Sequence, residues 1–217
     1  MYIMRNKKES LTEKIMGKVE KLPYFTVDNL KIIEAPVYQI RISLSRLEKR
    51  GIIVRLKKGF YSSKKYIDTT KMNRNYSPFT EFIATRLYSP SYLSLDYVLY
   101  ENNLLTEVPV GFTLMTRNKT FSVSNGLGRF IYKKIKDDLF FGYRVENKNG
   151  YIYFKADKAK ALFDFLYLRK KMIQNRPMAE ELRLNLEVLD KSDLKRLKEY
   201  VAREGSRKME EIIKFLF

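Results

Sequence analysis

The stretch LSRLEKRGIIVRLKKGFY, residues 44–61, changes its hydrophobic period at Gly51. Before that glycine, Leu44 and Leu47 continue a set begun by Val37 and Ile40, and at 100° per residue the four fall on one side of a helix. Pro36 suits the first helical position, and Gly51 suits the left-handed residue that closes a helix. The pattern therefore predicts a helix from Pro36 to about Arg50. Beyond Gly51, IIVRL reads as a strand, KKG as a turn in which Gly59 can take positive φ, and FYSSKKY as a returning strand. An amphipathic helix thus runs into a hairpin tipped by Lys57 and Lys58.

Two shorter helices are expected upstream. SLTEKIMGKVEKLP, residues 10–23, places Ser10 three residues before Glu13 at the spacing of a capping box, with Leu11, Ile15, Val19 and Leu22 at helical intervals until Pro23. Thr26 can cap a second helix whose Val27, Leu30 and Ile33 share a face, and Ala35-Pro36 then breaks the chain. Helix, helix, turn, helix and basic hairpin is the element order of a winged helix-turn-helix, in which the last helix enters the DNA major groove and the hairpin follows the backbone.

The outward side of the helix over residues 36–50 carries Tyr38, Gln39, Ile42, Ser45, Arg46 and Lys49. Arg46 can pair with guanine, Gln39 with adenine, Ser45 with either, and Ile42 can meet a thymine methyl, so Tyr38, Gln39, Ile42, Ser45 and Arg46 are the candidates for reading bases. Arg41, Lys49, Arg50, Arg55, Lys57, Lys58, Lys64 and Lys65 are suited to phosphates, which supply affinity without sequence information. A solvated charged face is the plainer explanation of any such run, but here the element order, the basic hairpin and a local charge excess coincide.

That excess is large. The 217 residues hold 43 Lys and Arg against 25 Asp and Glu, a formal charge of +18, which favours a polyanionic partner. Residues 1–75 alone hold 18 basic and 7 acidic side chains. Cysteine and histidine are both absent, which removes disulfides, thiolate and imidazole metal sites, cysteine nucleophiles and histidine acid-base chemistry. The chain is read as non-enzymatic, with no cofactor and no metal. No run reaches the roughly 18 apolar residues of a spanning helix, and MYIMRNKKES at the N-terminus lacks the apolar stretch of a secretory signal. A cytoplasmic protein without membrane attachment is expected. TTKMNRNYSP, residues 69–78, is polar, aperiodic and ends in Ser-Pro, so it reads as a linker dividing a DNA-binding domain over 1–72 from a second domain over 73–217.

In the second domain, residues 77–105 give two helical segments parted by Ser89-Pro90-Ser91. VGFTLMT, TFSVS, GRFIYKKI and YIYFKA follow as a small antiparallel sheet, with Gly126-x-Gly128 a turn rather than a phosphate loop. DKAKALFDFLYLRKK returns to helix with Ala161, Leu162, Phe165 and Leu168 spaced for burial, and two more helices lie near 192–204 and from 206 to the end. The fold class is α+β throughout.

GIIVRLKKGFY, SPSYLSLDYVLYENNLL, LGRFIYKKIKDDLFFGY and KAKALFDFLYLR, in that order and spacing, resemble the AbiEi family, the antitoxins of type IV toxin-antitoxin modules and predicted transcriptional regulators of viral defence systems. The resemblance spans about residues 10–217. It implies a winged-helix domain joined to an antitoxin domain that binds inverted repeats in its own promoter as a monomer in solution or a dimer on DNA. It further implies a co-encoded nucleotidyltransferase-like toxin, countered without a stable complex.

Two other classes stand beside this one. Asp137 or Asp138 with Glu146-Asn147-Lys148 resembles the Asp…Glu-x-Lys set of metal-dependent nucleases, in which carboxylates hold Mg²⁺ and lysine assists a water. ENKNG, however, reads as a hairpin turn that would send Lys148 into solvent. Tyr92, Tyr97, Tyr100 and Tyr167 could form a stacking platform but are placed in core and rim. The third class is an antitoxin that grips its toxin directly, with MEEIIKFLF at the C-terminal end as the candidate contact and a helix docked on its own domain as the plainer reading.

Overall fold

A computed structural model describes residues 9–217; the reading of residues 1–8 at the N-terminus lies outside them. The chain divides into a first unit, residues up to 79 together with 125–127, and a second unit, 80–124 and 128–217. The division falls inside a helix. Within the stretch 69–78, read from the sequence as a linker, one helix ends at Met72, a turn follows over 73–75, and the next helix begins at Tyr76. Polar composition without periodicity marked a tight helix-helix turn.

The first unit opens with α1 (Leu11–Val19), whose N-terminus is closed by the expected capping box. Glu13 Oε2 accepts from the Ser10 amide at 2.7 Å, and Ser10 Oγ accepts from the Glu13 amide at 3.2 Å. β1 (Phe25–Thr26) follows, then a single 3₁₀ turn over Val27–Leu30 where a short α-helix was expected. Asn29 accepts from the Thr26 amide at 2.7 Å, which fixes that turn. α2 (Val37–Lys49) ends at Arg50 with Gly51 at φ +68. β2 (Ile53–Lys57) and β3 (Phe60–Ser63) form the hairpin, and β1 joins it in an antiparallel sheet of order β1-β3-β2. Ile15, Val19, Phe25, Leu30, Ile40, Leu44, Leu47 and Ile53 form one buried core among these elements.

The second unit holds a six-stranded mixed sheet of order β6-β7-β5-β4-β9-β8, not a small antiparallel one. Its strands are β4 (Ser91–Leu93), β5 (Phe112–Thr116), β6 (Phe121–Asn125), β7 (Gly128–Lys134), β8 (Tyr143–Lys148) and β9 (Tyr151–Ala156). β5 runs parallel to β7 and β4 parallel to β9, while β4–β5 and β8–β9 are antiparallel. β4 and β8 are the strands missing from the sequence reading. β4 is only three residues long and buried throughout, so it shows no alternation, and it lies where a helix break was expected.

Helices α4 (Tyr76–Leu87), α5 (Leu95–Glu101), α6 (Lys158–Arg169), α7 (Arg176–Glu180), α8 (Lys191–Glu204) and α9 (Arg207–Leu216) complete the chain. α6 is buried from Ala159 to Leu166, and that run contains Lys160 and Asp164, both fully buried. Lys160 Nζ donates to Asp164 Oδ1 at 2.8 Å and to the Leu139 carbonyl at 2.9 Å, and it lies 4.5–4.6 Å from the ring centres of Phe163 and Phe141. Asp164 Oδ2 accepts from Tyr92 Oη at 2.9 Å and Ser94 Oγ at 2.8 Å. Burial pushes the Asp164 carboxyl up and the Lys160 ammonium down, and each is opposed by the charge of the other.

Removing one partner leaves a desolvated charge behind. Asp164→Ala is expected to cost about 3–5 kcal/mol in urea unfolding, and Lys160→Met with Asp164→Leu to cost less than that single change.

Near the C-terminus, Glu204 accepts hydrogen bonds from Lys170 and from Ser206. Burial favours its neutral form, but these bonds outweigh burial and hold the carboxyl below its ordinary 4.5. Its contribution to stability is therefore full above pH 4.5 and is lost as pH falls through the lower folded value. Thermal unfolding followed from pH 7 to pH 3 should show a smaller loss for Glu204→Gln than for the parent chain.

Candidate nucleic-acid interface

α2 turns a different set of residues inward than its apolar pattern suggested. Ile40, Leu44 and Leu47 are buried as expected, but Val37 is 44% exposed and Ser43 is buried in its place. Pro36 is the cap rather than the first helical residue, so Val37 begins the helix beyond the edge of the core. The inward line is then 40, 43, 44 and 47, the i, i+3, i+4, i+7 stripe, with Ser43 as its polar member in addition to the three expected apolar residues.

The opposite side is open. Tyr38 is 62% and Ile42 47% exposed, and Gln39, Arg41, Ser45, Arg46, Lys49 and Arg50 are also exposed. Gln39 Nε2 donates to Tyr38 Oη at 3.1 Å, which ties the two side chains together at the helix start. All five base-reading candidates thus share one exposed side of one helix.

The hairpin is tight. Lys58 and Gly59 form its two-residue loop, with Gly59 at φ +75, a conformation that side chains with a Cβ rarely adopt. Arg55 pairs with Tyr61 and Lys57 with Phe60, so Leu56 is the extra residue of a β-bulge. Leu56 is buried, and Lys57 lies 5.7 Å from the Phe60 ring centre, half-buried, with its ammonium pKa lowered by that burial. Arg55 and Lys58 are exposed.

Arg41, Lys57 and Lys58 line one recess between the first turns of α2, the 3₁₀ turn and the hairpin tip. Lys31 and Asp28 lie on its rim and pair with each other at 2.7 Å. Among the described residues Arg41, Arg46, Lys49, Arg50, Arg55 and Lys58 make no ion pair. Lys31 was not among the sequence candidates; it closes the 3₁₀ turn, where nothing in the linear pattern marks it as near the hairpin.

Lys64 and Lys65 stand elsewhere. Ser63 caps α3 (Lys64–Met72) by accepting from the Tyr66 amide at 3.0 Å, so the returning strand stops at Ser63 and both lysines begin a helix. Lys64 pairs with Asp68 at 2.8 Å and Lys65 with Glu20 at 3.1 Å, so a neighbouring carboxylate offsets each charge.

In the second unit, Glu146 and Lys148 lie on β8, and only Asn149 and Gly150 form the turn. The two therefore do share a strand face, contrary to the expected turn. They border a recess with Arg144, Lys155, Asp157 and Arg196, in which Asp157 pairs with Arg196 at 3.1 Å; Asp137 and Asp138 do not line it. Among the described residues no group of three or more acidic side chains is placed to hold a metal ion.

Tyr92 is buried and stacked on Tyr143 at 4.7 Å, Tyr97 and Tyr167 are half-buried, and Tyr100 is 39% exposed, so the four do not form one platform. Met209 and Ile212 of α9 are buried, as a helix docked within its own unit requires. No described helix is long and apolar enough to cross a membrane.

No protein-family model matches the chain, and a search of the curated proteins returns no match.

The two sides of α2 carry opposite expectations for stability. Leu44→Ala should cost about 2–5 kcal/mol in chemical unfolding, whereas Arg46→Ala and Ile42→Ser should stay within about 0.5 kcal/mol.

Proposed function

We propose that the first unit is a winged helix-turn-helix that binds double-stranded DNA, with α2 as the reading helix and the β2–β3 hairpin as the wing. The observation that carries this is the joint placement of an exposed, hydrogen-bonding α2 face and a cationic recess shared by Arg41, Lys57 and Lys58. Gln39, Ile42, Ser45 and Arg46 are of a size and chemistry to meet base edges, and Tyr38 supports Gln39. Arg41, Lys49, Arg50, Arg55, Lys57 and Lys58 supply phosphate contacts. Lys64 and Lys65 are left out of that set because carboxylates engage them.

Together with the resemblance to AbiEi antitoxins, this supports a non-enzymatic repressor that binds inverted repeats in its own promoter. Its second unit would counter a co-encoded nucleotidyltransferase-like toxin. In the full-length chain, with toxin supplied from a separate promoter, substitutions confined to residues 128–217 should abolish neutralisation while leaving DNA binding intact; loss of neutralisation on Lys57→Ala with Lys58→Ala would overturn that division of labour.

The first test is titration of a duplex from the upstream region of the gene at several salt concentrations. If about 6–10 phosphates are contacted, affinity falls about 10³–10⁵-fold between 50 and 200 mM salt, and a flat profile rejects the reading. Lys57→Ala with Lys58→Ala should weaken all duplexes alike and lower the salt slope by about 1.8. Arg46→Ala should instead relax preference at one base pair, worth about 1–3 kcal/mol.

A further inference from the structure

The turn at residues 125–127 belongs to the first unit, although it joins β6 to β7. Its side chains meet the hairpin at a place where the backbone is incompletely paired. Among the described residues β2 is an edge strand with β3 as its only sheet neighbour, and Leu56 is the residue left over at the bulge. The Leu56 carbonyl accepts a hydrogen bond from Asn125 Nδ2 at 2.8 Å. Asn125 Oδ1 in turn accepts from the Leu127 amide at 2.8 Å, so the orientation of the amide group is set by its own turn. Leu127 is buried, and a Cβ added at Gly126 would lie 3.3 Å from Val54 Cγ1, so a residue without a side chain lets the turn lie against β2.

We propose that Asn125 is a positioning residue for the hairpin tip, holding the bulged carbonyl of Leu56 and so fixing the direction in which Lys57 and Lys58 project. Lys57 is the next residue along the chain, and Lys58 and Gly59 complete the loop, which leaves little freedom between the anchored carbonyl and the two ammonium groups. The Gly126-x-Gly128 pattern, which carries no phosphate-loop chemistry, acquires a reason here: Asn125 supplies the bond and Gly126 the clearance. Asn125 touches no DNA in this account. Its effect on binding passes through the lysines, and that part of the inference rests on the DNA-binding reading.

Asn125→Ala in the full-length chain tests this through two independent measurements. Trypsin cleavage after Lys57 and Lys58, followed by mass spectrometry without DNA, should be faster than in the parent chain while the thermal midpoint of the remaining fold changes little. In duplex titrations the variant should bind about twofold to tenfold more weakly, the size of one lost hydrogen bond, with a shallower salt slope. On a Lys57→Ala, Lys58→Ala background the same change should add no further loss, because the groups it positions are gone.

Cleavage at the parent rate overturns the proposal, as does a loss of affinity that adds fully to that of the lysine variants. A parent chain that binds DNA without salt dependence would reject the functional reading instead, while the cleavage rate would still decide whether Asn125 holds the hairpin.

Discussion

The second unit is organised around one buried ion pair, Lys160 with Asp164. Two charges removed from water are tolerated only when the surroundings complete their hydrogen bonds, and here several elements do so at once. Tyr92 and Ser94, at β4 and just after it, serve Asp164, and the Leu139 carbonyl serves Lys160. The rings of Phe141 and Phe163 flank the ammonium group, where their faces offer electrostatic attraction without needing water. A shift of α6 by one turn would leave both charges unmet. The pair therefore sets the register of α6 against β4, one of the two central strands, which pairs antiparallel with β5 and parallel with β9.

The first unit depends on a simpler constraint, the rotation of α2 about its axis. Ile40, Leu44 and Leu47 have one way to enter the core, and once they do, Gln39, Ile42, Ser45 and Arg46 are outside. The side chains proposed to read DNA are thus aimed by residues that never touch it. Gly51 then reverses the chain at φ +68 and starts the hairpin within four residues of the helix end, which keeps helix and hairpin tip on the rim of one recess.

Much of this was legible in the sequence where the signal is local. The Ser10–Glu13 capping box, the close of α2 at Gly51, the Lys58-Gly59 loop and the helices α8 and α9 depend on neighbours within a turn of chain. What escaped depends on partners far away. β4 owes its existence to β5 and β9, and the inward place of Ser43 to the angle at which α2 meets its core. The strand at Glu146–Lys148 reads as a turn because Asn and Lys are poor strand formers, and pairing with Tyr151–Tyr153 overrides that preference. Lys64 and Lys65 read as part of the hairpin because the serine cap in the middle of FYSSKKY differs from any other serine only in that its hydroxyl accepts from the Tyr66 amide. Asn125 lies 69 residues from the carbonyl it holds, a separation at which no linear pattern operates.

The offset of Lys64 and Lys65 by Asp68 and Glu20 has a consequence beyond their own silence. Six cations without an ion pair among the described residues, Arg41, Arg46, Lys49, Arg50, Arg55 and Lys58, stand on α2 and the hairpin, although Lys14 and Lys18 on α1 and Lys71 on α3 are unmatched as well. The field of these cations reaches a polyanion before any contact forms. With no histidine in the chain, screening that field falls to dissolved salt rather than to protons across the range near neutrality.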